Sequence, residues 1–113
     1  MGGSEFGWAK KSLLRGRALA KVRQMTITVK DFYADWCGPC KIQDPILEEL
    51  EEEWEGKIVF EKIDVDTNQD IANKYQVKSI PTIVIEDEEG VISRFVGVTQ
   101  KEDLESIFQQ NSN

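Results

Sequence analysis

The sequence predicts an α/β domain, a mixed central sheet flanked by helices in the order β-α-β-α-β-β-α. Three observations carry this reading. An alternating run of β-branched and aromatic residues starts at Thr26. A helix-spaced stretch separates it from a second apolar run at Ile58, and a strand-helix-strand unit implies parallel pairing. The last two strand-like runs are joined only by Asp87-Glu88-Glu89-Gly90, short enough for an antiparallel hairpin.

In chain order, residues 26–34 alternate so that Ile27, Val29, Asp31 and Tyr33 share one strand face, which puts an aspartate among apolar residues. Residues 38–54 form a helix whose apolar stripe is Ile42, Ile46, Leu47, Leu50 and Trp54, with a kink expected at Pro45. The carboxylates of Glu48-Glu49-Leu50-Glu51-Glu52-Glu53-Trp54-Glu55 form its solvated face. Residues 58–64 are the second strand and 68–75 a short helix that Thr67 or Asn68 can cap. Residues 82–86 and 91–96 are the hairpin strands. In the last helix Thr99 and Glu102 have capping-box spacing, and Leu104, Ile107 and Phe108 give the buried stripe.

A chain of 113 residues is the size of one domain. Its charge falls in two blocks. Residues 1–24 hold six basic residues and one acid, giving +5, and residues 25–113 hold eight basic and twenty acidic, giving −12, which sums to the net −7. The boundary at Met25 divides a basic segment that reads as added, tag-like sequence from a domain at 25–113. An acidic domain repels phosphates, so nucleic acid and anionic membrane are excluded as partners of the domain. No stretch has the apolar length of a membrane span or of a secretory signal. A cytoplasmic setting is expected.

Cys37 and Cys40 are the two cysteines, and the chain has no histidine. A structural zinc site needs four ligands, so the pair cannot complete one within a single chain. A metal or cluster shared between two chains is the remaining metal reading. A permanent staple across so few residues constrains little of the unfolded chain. Position favours redox chemistry: Cys37 follows a strand and opens a helix, where unpaired backbone N–H groups and the helix dipole stabilise a thiolate. Cys40, one turn on, can resolve a mixed disulfide formed at Cys37. Gly38 lets backbone approach closely, and Pro39 suits the first helical turn because it lacks an N–H that would be orphaned there.

Asp35-Trp36-Cys37-Gly38-Pro39-Cys40-Lys41 resembles the active site of the thioredoxin family, of the short archaeal or bacterial type. The resemblance spans residues 26–108. It includes Val29-Lys30-Asp31-Phe32-Tyr33-Ala34, Pro45, Lys62-Ile63-Asp64-Val65-Asp66, Ile80-Pro81-Thr82 and Gly97, in the family's order. It implies the thioredoxin fold, with the family's usual first strand and helix shortened or missing here. By resemblance, Asp31 is the buried acid that exchanges protons with Cys40, a role that desolvation of its carboxyl would support. Lys62 is the lysine that tunes it. The resemblance also makes Ile80-Pro81 a cis-proline loop presenting Ile80's main chain to an extended substrate, Trp36 an apolar lid, and Gly97 a point of close substrate approach.

The function implied is reduction of protein disulfides by the Cys37/Cys40 pair, with no metal and no cofactor beyond that redox-active disulfide. Its partners would be disulfide-containing proteins and a thioredoxin reductase as electron donor, and the chain would act as a monomer. Two rival readings stand beside it. One is a disulfide oxidase or isomerase of the same fold; the other is a chaperone-like module that binds partners in the same groove without turnover.

Overall fold

The computed structural model describes residues 25–111. The expectations for the basic segment 1–24, and for the shortened first strand and helix, lie outside these residues. The elements are β1 (Ile27–Tyr33), α1 (Gly38–Glu53), β2 (Ile58–Asp64), α2 (Gln69–Lys74), β3 (Thr82–Asp87), β4 (Gly90–Val96) and α3 (Lys101–Asn111). Among the described residues the sheet has four strands in the order β2-β1-β3-β4. β1 and β2 run parallel with Asp31 opposite Lys62, while β1–β3 and β3–β4 are antiparallel. The order of elements and the mixed pairing are those expected from the periodicities.

Strand alternation sends side chains to two different cores. On one face Ile27, Val29, Ile83 and Ile85 pack beneath Leu47 and Leu50 of α1 and Leu104 and Phe108 of α3. Phe108 anchors this layer, meeting Trp54 edge-on at 5.3 Å and Phe60 at 6.1 Å between ring centroids. On the opposite face Phe32, Ile63 and Val84 pack against Ala72 of α2, with Tyr75 5.6 Å from Phe32. The glutamates of residues 48–55 are exposed as expected, and Lys101 bridges Glu49 and Glu53 at 2.9 and 2.6 Å.

Three local expectations are corrected. Ile42 is 60% exposed, and the inner stripe of α1 is Cys40, Gln43, Leu47 and Leu50. The 3-4-3 spacing from Cys40 fixes the rotation of the helix, and Ile42 falls one residue off it. Asn68 occupies the cap position of α2 but makes no side-chain cap; its amide donates to the Asp64 carbonyl at 3.0 Å. Thr99 forms no capping box. α3 begins at Lys101, the Thr99 hydroxyl donates to the Gly97 carbonyl at 3.0 Å, and its N–H donates to Gln43. Pro45 lies inside α1, which runs on to Glu53. No described helix is long and apolar enough to cross a membrane.

Candidate active site

β1 ends at Tyr33, and the chain turns through Asp35 and Trp36 into α1. Cys37 is the N-cap of that helix: its sulfur accepts the Cys40 N–H at 3.2 Å, taking up one of the donors that the first helical turn leaves without a partner. Gly38 and Pro39 form the first two helical positions, and both are exposed. Cys37 and Cys40 are joined in a disulfide with Cα atoms 5.3 Å apart, and each is almost fully covered. The pair thus sits just beneath the surface, at the end of α1 where backbone dipoles favour a negative sulfur.

Tyr33, Val65 and Ile80 pack against the cysteines. The Ile80 carbonyl oxygen lies 3.8 Å from the Cys37 sulfur, and the Ile80–Pro81 peptide is cis. The Pro81 carbonyl accepts the Gly97 N–H at 2.8 Å, which fastens the end of β4 to this loop. Gly97 has φ +91°, a backbone region costly to other residues, while a Cβ there would meet nothing within 4 Å; conformation, not crowding, calls for glycine. Trp36 is 71% exposed, and its indole N–H donates to Asp66 at 2.9 Å. Its ring borders an open groove of about 440 Å³ with Val65, Val77 and Ile80.

Asp31 is buried on the sheet face that α1 covers, and neither of its carboxylate oxygens has a hydrogen-bond partner among the described residues. Burial pushes its pKa up to about 6; the Lys62 charge opposes this and the Asp44 charge reinforces it. A solvated strand-end carboxylate is therefore ruled out. Lys62 lies nearby without bonding to Asp31. Its ammonium donates to Asp44 at 3.1 Å and stands 4.5 Å from the centre of the Tyr33 ring. Burial pulls the Lys62 pKa down, but the hydrogen bond and charge of Asp44, with the charge of Asp31, outweigh it and leave it raised.

Sequence reasoning missed Gln43 and Asp44. Gln43 is fully buried and exchanges two bonds with Thr99, its amide donating to the Thr99 carbonyl at 3.0 Å and its carbonyl accepting the Thr99 N–H at 2.7 Å. It ties α1 to the segment that follows Gly97. The available signal was position, since Gln43 lies between Cys40 and Leu47 on the inner stripe. For Asp44 there was no comparable signal, because its partner is eighteen residues away on another element.

A family model described as Thioredoxin matches residues 17–110. The chain belongs to the thioredoxin family. Thioredoxin of Bacillus subtilis is 44% identical over 85 residues, which cover 75% of this chain and 82% of that protein. Mitochondrial thioredoxin of Mus musculus is 38% identical over 89 residues, 79% of this chain, and the chain spans about half of that relative, 54% of its length. Among solved structures, a mutant thioredoxin from Halobacterium salinarum matches with a TM-score of 0.70 at 34% identity, over 77% of this chain and 75% of that one. Oxidised mitochondrial thioredoxin 3 from Saccharomyces cerevisiae matches with a TM-score of 0.68 at 34% identity, over 86% of this chain and 89% of that one. The fold is the thioredoxin fold, and the chain, with its linked Cys37 and Cys40, is a thiol-disulfide oxidoreductase.

Proposed function

We propose that this thioredoxin works in the reducing direction on protein disulfides, with Cys37 as nucleophile and Cys40 as resolving thiol. The observation that carries this reading is the Cys37 sulfur at the N-cap of α1, receiving the Cys40 N–H and lying beside the Ile80 carbonyl. In the reduced protein the Cys37 thiolate attacks one sulfur of a substrate disulfide. The substrate S–S bond breaks, a mixed disulfide forms, and the departing substrate sulfur takes up a proton. Cys40, having given its proton to Asp31, then attacks Cys37. This forms the Cys37–Cys40 disulfide and frees the second substrate sulfur, so two electrons pass from the cysteine pair to the substrate.

Asp31 suits the proton step because a carboxyl with a pKa of about 6 can both accept and return a proton near neutrality. Lys62 is the charge that adjusts it. Trp36, Gly38, Pro39, Ile80 and Gly97 form the substrate-facing rim, with the buried Pro81 shaping the loop behind it, and Ile80's main chain can pair with an extended peptide. The partners are disulfide-bearing proteins and a reductase that restores the dithiol. A cytoplasmic, thiol-reducing compartment is the setting in which such a cycle runs forward. No cofactor beyond the cysteine pair is needed to hold the two electrons.

The test is the Cys40→Ser protein incubated with a disulfide-bonded substrate such as insulin. A mixed disulfide that runs as one covalent species and is released by dithiothreitol is the expected product, because the resolving sulfur is gone. No adduct with Cys40→Ser, or an equal adduct with Cys37→Ser, where Cys40 is the one remaining thiol, contradicts the assignment of Cys37 as nucleophile.

A further inference from the structure

The charged groups around Asp31 are unevenly arranged. From α1, Asp44, Glu48 and Glu51 line a narrow crevice of about 40 Å³ at Asp31; from β2, Glu61 and Lys62 line it. The remaining walls are Val29, Leu47 and Phe60, and β3 places only Ile83 opposite Asp31. A crevice of this size admits a water molecule, so a proton can reach the buried carboxyl from solvent. Among these groups Lys62 supplies the positive charge. It stands directly across from Asp31 in the parallel register, and the same face of the sheet carries both side chains. A lysine so placed would ordinarily close onto the unpartnered carboxylate, yet its ammonium is held by Asp44 and over Tyr33.

We propose that Asp44 is a positioning residue for the redox cycle: by holding the Lys62 ammonium, it prevents an Asp31–Lys62 ion pair and keeps the Asp31 carboxyl able to carry a proton near neutral pH. The inference rests on the reading of Asp31 as proton acceptor for Cys40. Two effects of Asp44 act in the same direction. Its own negative charge opposes ionisation of Asp31, and its grip on Lys62 withholds the cation that would favour ionisation. The Lys62 and Asp44 side chains are 51% and 32% exposed, and an ion pair this accessible contributes little to stability. Its consequence lies in where it leaves the charge. Without Asp44, Lys62 is free to turn to Asp31, and a carboxylate locked in an ion pair is a poor proton acceptor at neutral pH.

The experiment follows the Asp31 carboxyl directly, by carbon-13 NMR titration of the oxidised protein labelled at aspartate, in wild type, Asp44→Asn, Lys62→Gln and the double variant. Asp44→Asn is expected to lower the Asp31 midpoint by roughly half a pH unit or more, and Lys62→Gln to raise it. Asp44→Asn should have a smaller effect in the Lys62→Gln background, because only its direct repulsion remains there to be removed. Asp44→Glu should restore the wild-type midpoint. An unchanged or raised midpoint in Asp44→Asn overturns the proposal. Equal falls in both backgrounds overturn it too, since Asp44 would then act without Lys62.

A separate readout isolates the reading beneath the proposal. If Asp31→Asn leaves the pH profile of insulin reduction unchanged, the proton role of Asp31 fails, and the titration still reports whether Asp44 holds Lys62.

Discussion

At the start of β1, Ile27 and Val29 enter an apolar layer filled by Leu47, Leu50, Leu104 and Phe108. Two residues further along the same face, Asp31 enters the interior with both oxygens unpartnered, beside a crevice ringed by acids and one lysine. One strand, one alternation and one covering helix thus serve two ends with opposite requirements. The apolar end gains free energy from every methylene buried. The Asp31 end gives some of it up, because a carboxyl without partners resists ionisation in the interior. That cost is what raises the Asp31 pKa to about 6. The α1 helix joins the ends: Leu47 and Leu50 hold it down on the apolar side, so that its first turn presents Cys37 and Cys40 at a fixed height.

The comparison can be broken most forcefully at its apolar end. Phe108→Ala removes a fully buried ring that meets Trp54 and Phe60, and should lower stability by about 3–5 kcal/mol, read from urea denaturation. The protein that stays folded should reduce insulin at an unchanged rate per molecule. A loss of activity beyond the loss of folded protein would mean that the two ends are not separable.

The Asp31 end predicts an effect of opposite sign. Folded Asp31 has a pKa of about 6 against an ordinary 3.8, so between these values the folded state binds more protons than the unfolded state. Its contribution is therefore neutral below about pH 4, grows steadily more unfavourable as pH rises from about 4 to about 6, and levels off above. Asp31→Asn should then be more stable than wild type by roughly 2–3 kcal/mol at pH 8, with the gain vanishing towards pH 4. A gain independent of pH, or a net loss at pH 8, would show that burial does not penalise this carboxylate. The smallest expected effect belongs to Asp44→Asn, whose consequence is a shift of the Asp31 midpoint with little change in stability.

The order of elements was legible because strands and helices differ in apolar period, and the parallel and antiparallel pairings followed from the lengths of the connections. The cysteine pair at a strand-to-helix turn was equally legible, as was an acid at the fifth position of β1 among apolar neighbours. Rotation about a helix axis was not. Ile42 is more apolar than Gln43, yet Gln43 is inside, because its amide satisfies both backbone groups of Thr99 across 56 residues of chain. The same contact explains why Thr99 was misread as a cap: its N–H is engaged by Gln43 and its hydroxyl by Gly97. Lys62 and Asp44 illustrate the general difficulty. Long flexible charged side chains choose partners by distance in space, and neither residue's sequence neighbours disclose the other.

The measurement that bears most directly on the central claim is the two-electron reduction potential of the Cys37–Cys40 pair, equilibrated in thiol redox buffers, followed by tryptophan fluorescence and confirmed by thiol alkylation. Reduction of protein disulfides predicts a potential near the roughly −270 mV already known for thioredoxin, a reference value for the family and not one derived from this structure. A potential of about −120 to −180 mV, the range of oxidase- and isomerase-type proteins, would contradict the account and assign the pair to forming or shuffling disulfides.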